Sequence, residues 1–149
     1  MGGASRATPA AGVSGTTAAQ LRPRSLLAFD FGTRRLGVAS GNTLTRTATP
    51  LATVEASSTD ERWRQVAAIL AQWQPDALVV GIPRHPDGAP HENTRRAQRF
   101  ARQLAGRFRL TVHEVDERYT SVEAQSLGAR DVDAASAALI LEQYLRQDS

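Results

Sequence analysis

Six consecutive apolar residues, Ala77 to Ile82, constrain the fold of this chain more than any other stretch. The run has the length of one strand, and it lacks the polar alternation of a strand with one face in water. It therefore predicts a central strand in a sheet that is covered on both faces. Since the chain has 149 residues, of which 41% are hydrophobic, it can bury one substantial core but is short for two domains.

Other apolar runs predict four further strands around this central one. Gly32 to Arg35 separate the first two runs and predict a hairpin turn. The third strand continues an antiparallel meander, whereas helices separate the later strands and require parallel crossovers. The five predicted strands span residues 26–31, 36–40, 51–54, 77–82 and 110–115. The pattern indicates an α/β fold whose five-stranded mixed sheet joins an antiparallel three-strand meander to parallel strands, with helices on both faces.

Capping signals and hydrophobic periodicity predict the helices. Two capping boxes predict helix starts. One is formed by Ser58 and Glu61, and the other by Thr120 and Glu123. Between them lies a helix with a clear core stripe, which we expect to end at Gly106. The last helix is predicted from Asp133 to Leu145. The core stripe of the middle helix consists of Ala97, Phe100, Ala101 and Leu104.

The first 24 residues are rich in Ala, Gly, Ser, Thr and Pro and contain no acidic residue, so we expect a disordered N-terminal tail before a folded domain at 25–149. The chain has no cysteine, which excludes disulfides and thiolate metal sites and fits a reducing compartment. No apolar run reaches the roughly 18 residues of a membrane span, and no secretory signal is evident. We therefore expect a cytoplasmic protein with no membrane partner.

Asp30 is an acidic residue inside an otherwise apolar strand. A buried carboxylate needs a compensating partner, because otherwise its burial costs several kcal/mol or forces it to take up a proton. One interpretation is that Asp30 caps the turn at Gly32, and the other is that it belongs to an ion site. Its position before the turn residues favours the ion site.

Three more carboxylates occur where such a site could form. Asp116 and Glu117 directly follow the fifth strand, and ligand sites in open α/β sheets gather beyond the carboxyl ends of strands. Alternatively, Asp116 and Glu117 lie in a solvated loop, with Arg118 as their local partner. Asp133 in the first turn of the last helix could interact with the helix dipole, but it is in register with the core residues that follow and should point at the sheet.

If these carboxylates converge, they form an all-oxygen site suited to Mg²⁺ or Mn²⁺ and unsuited to zinc. Metals of this kind can generate hydroxide and stabilise the leaving oxygen in a phosphoryl displacement.

All 18 basic residues are arginines, and their placement is uneven. Residues 84–109 hold seven arginines and two acids, whereas residues 110–149 hold eight acids and three arginines. Arginine matches phosphate with a bidentate fork and would give affinity for a nucleic-acid backbone without sequence information. The candidate nucleic-acid contacts are Arg34, Arg84, Arg95, Arg99, Arg102 and Arg118.

Four ordered motifs together resemble the YqgF (RuvX) family over about residues 25–146. They are LAFDFGT with LGVA at 27–39, VVGIP with DG at 79–88, DERYTSVEA at 116–124, and VDAASA with ILEQYL at 132–145. The resemblance implies an RNase H-like nuclease domain related to Holliday junction resolvases, with a bacterial role in trimming the 5′ end of pre-16S ribosomal RNA. It also implies metal-binding or catalytic roles for Asp30, Asp133 and the Asp116–Glu117 pair, in which we favour Glu117 as the ligand.

The chain departs from the family at two places. A longer segment containing Gly and Lys is usual where this chain has only residues 125–131, and a Pro-Leu-Asn-Met-Asp-Gly motif is replaced by the residues of 83–88. Neither change touches the expected metal ligands, but both bear on substrate preference.

Three other functions use the same sequence features. A Holliday junction resolvase acting in DNA recombination would use the same carboxylates, and it would have to act as a homodimer to cut two strands symmetrically. A non-catalytic nucleic-acid-binding module would use the arginines, but it would leave the inward-pointing acids unexplained. The motif at 30–33 also resembles a phosphate loop of actin-like ATPases, although those proteins need two such domains.

Overall fold

The computed structural model of the protein describes residues 24–117 and 129–147. Five strands and three helices are found in that part of the chain. The strands are β1 (Ser25–Phe31), β2 (Arg35–Asn42), β3 (Ala48–Glu55), β4 (Ala77–Ile82) and β5 (Thr111–Asp116). The helices are α1 (Thr59–Trp73), α2 (Glu92–Phe108) and α3 (Ala129–Gln147).

The five strands form one mixed sheet in the order β3-β2-β1-β4-β5. β1 pairs antiparallel with β2, and β2 with β3, while β1 pairs parallel with β4, and β4 with β5. The predicted meander and parallel crossovers are both confirmed. β4 lies between β1 and β5 and is buried along its whole length, as its unbroken apolar sequence predicts.

Helices cover both faces of the sheet, which confirms the predicted layers. Alternate residues of β1 divide between two cores, with Leu27 and Phe29 packed toward α1 and α2, and Leu26 and Ala28 packed toward α3. We call these the α1/α2 face and the α3 face. Asp30 follows Leu26 and Ala28 at the same spacing, so its side chain leaves β1 on the α3 face.

The predicted helix starts agree in part with the structure. Ser58 is the N-cap of α1, and its side chain accepts a hydrogen bond from the Glu61 backbone N–H at 3.1 Å. The Glu61 carboxylate accepts hydrogen bonds from Arg64 and Gln65. The capping box at 120–123 and the predicted tail lie outside the described residues.

Two predicted helix boundaries are wrong. α2 passes through Gly106 and ends at Phe108, because the left-handed conformation that closes it is adopted by Arg109, at φ 56°. α3 begins at Ala129, four residues before the predicted start. Asp133 is therefore beyond the first turn, and its proposed interaction with the helix dipole loses its geometric basis. Within the described residues, no helix combines the length and apolar character needed to cross a bilayer.

Candidate metal and nucleic-acid site

Asp30 lies between two glycines in the sheet. It pairs with Gly37 on β2 and with Gly81 on β4. Neither neighbour has a side chain, so other parts of the chain occupy the space on each side of the Asp30 carboxyl group on the α3 face. Other groups can approach this carboxyl group from both directions.

Glu117 occupies the space above Gly81. It follows β5, whose last residue Asp116 pairs with Ile82 on β4. A Cβ atom added to Gly81 would lie 2.7 Å from Glu117 Oε2. The missing side chain of Gly81 is therefore what allows the Glu117 carboxyl group to lie back over the sheet and to hydrogen-bond with Asp30.

Burial and mutual repulsion change the acidity of this pair. Burial is the main cause that raises the pKa of Asp30 to about 6, and the negative charge of Asp133 adds to the shift. The pKa of Glu117 rises to about 8, mainly by burial and then by the charge of Asp30. The shared hydrogen bond lowers the pKa of Asp30 and raises that of Glu117. Near neutral pH Glu117 is therefore the group that holds the proton and donates it to Asp30.

Asp133 reaches the site from α3. A Cβ atom added to Gly37 would lie only 1.9 Å from the backbone oxygen of Asp133, so α3 packs directly on the β2 backbone at this point. The Asp133 carboxylate accepts a hydrogen bond from Arg35 Nε at 2.6 Å. Among the described residues, Arg35 therefore adds a cation beside the three acids.

Asp116 is near these groups, but its side chain projects from β5 in another direction. Side chains alternate along β5, and Val115 belongs to the α3-face core. Asp116 thus projects toward the opposite face, whereas Glu117 returns to the face of Asp30. Asp116 acts on the site through its charge, which raises the pKa of Glu117. The structure brings Asp30, Glu117 and Asp133 together and sets Asp116 beside them.

The donor set fits a hard divalent cation in its chemistry. Asp30 and Glu117 offer carboxylate oxygens, and a doubly charged ion would offset the repulsion that now keeps a proton between them. Asp133 is held by Arg35. Within residues 24–117 and 129–147, no three His, Asp or Glu side chains are arranged around one point as a metal site requires. Ligation by all three acids therefore stays a prediction.

Of the six arginines predicted to contact nucleic acid, the five in the described part of the chain do not form one surface around the acids. Arg95, Arg99 and Arg102 are exposed, but α2 packs on the α1/α2 face, opposite the carboxylates. Arg84 is half-buried, and its Nη1 donates to Gly88 O at 3.5 Å. Arg34 is exposed in the turn between β1 and β2. Arg118 lies outside the described residues.

Arg35 and Arg62, which are not among the arginines predicted to contact nucleic acid, make contacts at the two ends of the β1–β2 turn. Arg35 binds Asp133, and Arg62 is buried on α1, where its Nη2 donates to Gly32 O at 2.7 Å. A signal for Arg62 was present in the sequence, because it precedes Val66 and Leu70 by four and eight residues on the core stripe of α1. Arg35 has no comparable signal, since its partner is 98 residues away.

Comparison with solved structures defines the class of fold. The chain is similar to RuvC of Thermus thermophilus in complex with Holliday junction substrate, with a TM-score of 0.52 and 17% identity over 84% of this chain and 96% of that one. It is also similar to the Fowlpox virus resolvase in complex with Holliday junction DNA, with a TM-score of 0.55 and 14% identity over 83% and 97% of the two chains. The fold is RNase H-like, as in these resolvases.

Sequence comparison gives the family. Residues 24–147 match the RuvX family, which is described as Holliday junction resolvase, and the chain belongs to it. A relative from Polaromonas sp. is 63% identical over 123 residues, covering 83% of this chain and 88% of its own. One from Burkholderia pseudomallei is 56% identical over 135 residues, covering 87% and 92%. Both carry the name "Putative pre-16S rRNA nuclease".

Proposed function

We propose that this chain is a metal-dependent nuclease that hydrolyses phosphodiester bonds to process the 5′ end of pre-16S ribosomal RNA. The observation that carries the proposal is the buried carboxyl pair of Asp30 and Glu117, with Asp133 beside it, at the carboxyl ends of β1 and β5. The names of relatives at 56–63% identity support the RNA substrate. Because ribosomal RNA precursors are made in the bacterial cytoplasm, the proposal includes a cytoplasmic location.

In this proposal Asp30, Glu117 and Asp133 hold Mg²⁺ or Mn²⁺, and Asp116 adds negative potential next to Glu117. When bound, such an ion supplies an activated water and stabilises the leaving oxygen of the cut phosphodiester. Glu117 must give up its proton to act as a ligand. Arg35 holds the Asp133 carboxylate in place at the rim of the site, where a substrate phosphate would approach.

The experiment compares the wild type with Asp30→Asn and Glu117→Gln on a 16S precursor RNA and on a four-way DNA junction, each with Mg²⁺ and with Mn²⁺. We expect the wild type to cut the precursor and both variants to lose at least about 100-fold in rate, because each loses a charged metal ligand. Glu92→Gln is the matched control, since Glu92 is an exposed acid at the start of α2.

Other results would assign the activity differently. Cutting of the junction alone by a homodimer would favour the resolvase alternative, whereas the RNA nuclease is expected to act as a monomer or a homodimer. If the wild type and Asp30→Asn bind either substrate with the same affinity, with or without metal, and neither protein cuts it, the chain is a non-catalytic module and the proposal is contradicted.

A further inference from the structure

A cavity of about 280 Å³ lies on the α1/α2 face, beside the turn that joins β1 to β2. It is outside the carboxylate site, which is on the other face of the sheet. Among the described residues, those that line the cavity include no Asp or Glu. Its polar lining consists of Thr33, Ser57, Ser58, Thr59, Arg62 and Gln103. We call it the Arg62 cavity, because this arginine is its one charged group among the lining residues described.

The Arg62 side chain is buried, with a relative exposure of only 9%. Its guanidinium carbon lies 5.2 Å from the centre of the Phe31 ring, and its Nη2 donates to Gly32 O. A guanidinium carries five N–H donors, and Gly32 O is the one acceptor recorded for it among the described residues. Because Arg62 lines the cavity, an anion held there would accept hydrogen bonds from donors that Gly32 O does not use.

The rest of the lining suits the same kind of ligand. Thr33, Ser57 and Thr59 carry hydroxyl groups that can donate hydrogen bonds to phosphate oxygens. α1 begins at the edge of the cavity, so its positive end adds to the charge of Arg62. Neither acid of its first turn, Asp60 or Glu61, lines the cavity. Burial also lowers the pKa of Arg62, and a bound anion would offset this cost.

A second cavity adjoins the Arg62 cavity at the β1–β2 turn. It has a volume of about 540 Å³ and shares Thr33, Ala56 and Ser57 with the Arg62 cavity. Arg34 and Arg35 also line it, together with Glu55, and Arg35 binds Asp133. The two cavities thus form a groove around the β1–β2 turn, which runs from Arg62 to Arg35, the partner of Asp133, and is lined mainly by cations and hydroxyls.

We propose that the Arg62 cavity is a phosphate-binding subsite, which holds a backbone phosphate of the nucleic-acid strand on one side of the bond that is cut. The inference rests on the proposed function for the identity of its ligand. The subsite would set the register of the strand in the groove, because a phosphate held there fixes the distance to the phosphodiester at the carboxylates.

Binding measured without cleavage tests the subsite. In an Asp30→Asn background, the affinity for a labelled single-stranded RNA from the 16S precursor is measured at several salt concentrations. We expect Arg62→Gln to weaken binding about tenfold at 0.1 M salt and to reduce the slope of log K against log salt by about 1. Arg64→Gln is the matched control, since it removes the same charge from the exposed side of α1, and it should change neither quantity measurably.

A second variant covers the case in which Arg62→Gln does not fold. Ser57→Glu places a carboxylate at the exposed mouth of the cavity and leaves Arg62 in place, and we expect it to weaken RNA binding as much as Arg62→Gln does. Equal affinity and salt slope for Ser57→Glu and Arg64→Gln would overturn the subsite.

Further measurements separate the possible sources of the phosphate. If inorganic phosphate raises the melting temperature of the wild type but not of Arg62→Gln, while both bind RNA equally, the cavity takes a free phosphate and the nucleic-acid subsite is wrong. Loss of RNA affinity in Arg62→Gln supports the subsite even if the wild type cuts no substrate, in which case only the proposed function fails.

Discussion

Arg35 Nε lies 2.6 Å from Asp133 Oδ2, which joins the first residue of β2 to the interior of α3 across 98 residues of sequence. The pair is only partly buried, with 41% of the Arg35 side chain and 21% of the Asp133 side chain exposed. At that exposure it stabilises the fold by only about 0.5 kcal/mol. Its larger effect is electrostatic, because it keeps a positive charge next to the carboxylates that would receive a metal ion.

Replacing Arg35 should strengthen metal binding in the absence of nucleic acid. Arg35→Ala removes a cation from the carboxylate cluster, so the affinity for Mn²⁺ should rise about tenfold. Calorimetric titration of the purified protein measures this directly. Arg96→Ala removes an arginine from an exposed ion pair with Glu92 and should leave the affinity unchanged. Unchanged or weaker Mn²⁺ binding by Arg35→Ala would show that Arg35 does not oppose the metal.

The metal-free protein should lose stability as pH rises. The pKa values of Asp30 and Glu117 are raised to about 6 and about 8, so between about pH 4 and pH 8 the folded chain binds more protons than the unfolded chain. Stability contributed by the protonated pair is present below pH 4 and is lost through this range. Urea unfolding in EDTA at pH 5, 6.5 and 8 should show a falling free energy of unfolding.

Glu117→Gln should flatten this pH dependence and should be more stable than the wild type at pH 8, because a neutral amide replaces a buried acid. Mg²⁺ should restore the stability of the wild type at pH 8. Glu92→Gln, at an exposed position, should follow the wild type. A wild type that is equally stable at pH 5 and pH 8 would contradict the raised pKa values.

Two glycine substitutions should have opposite effects on stability. Gly37→Ala forces a Cβ atom to within 1.9 Å of the Asp133 backbone oxygen, and we expect a loss of about 3 kcal/mol, because backbone rather than a flexible side chain must move. Gly106→Ala meets nothing within 4 Å on α2 and should stabilise the protein by about 0.5–1 kcal/mol. Denaturant unfolding measures both. Equal effects would mean that the approach of α3 to β2 does not depend on Gly37.

Phe100 should be the most sensitive aromatic residue of the α1/α2 face. Its ring lies 5.3 Å from Trp63, 5.1 Å from Phe31 and 5.9 Å from Phe29, measured between ring centres. Phe100→Ala should therefore lower the free energy of unfolding by about 3–5 kcal/mol. Phe108→Ala, at the half-buried end of α2, should cost clearly less. If the two variants lose the same free energy of unfolding, Phe100 is not the central aromatic residue of this core.

The fold could be predicted because the sheet is encoded locally. The unbroken apolar run of β4 predicts a strand covered on both faces, and the predicted span of 77–82 agrees with the structure. Gly106 misled the prediction because glycine is common at helix ends, yet a helix can also be closed by a residue such as Arg109 in the left-handed conformation. Only the three-dimensional setting distinguishes these uses of glycine.

The acids of the site could be selected from the sequence, but their partners could not. Asp30 is conspicuous because it interrupts an apolar strand. The contacts of Arg35 and Arg62 depend on distant parts of the chain that no local pattern connects. The arginines of α2 attract attention by their number, but the topology puts that helix on the other face of the sheet. The positions of charged residues in a sequence do not show on which face of a sheet those residues will lie.

The close packing of α3 on β2 at Gly37 also has a consequence for biosynthesis. α3 contacts all five strands of the sheet and contributes most of the helix-derived residues of one core. A nascent chain that has not yet reached Ala129 lacks both the helix that packs on that face of the sheet and Asp133. Completing that core and acquiring Asp133 therefore depend on one segment, which is synthesised after the whole sheet.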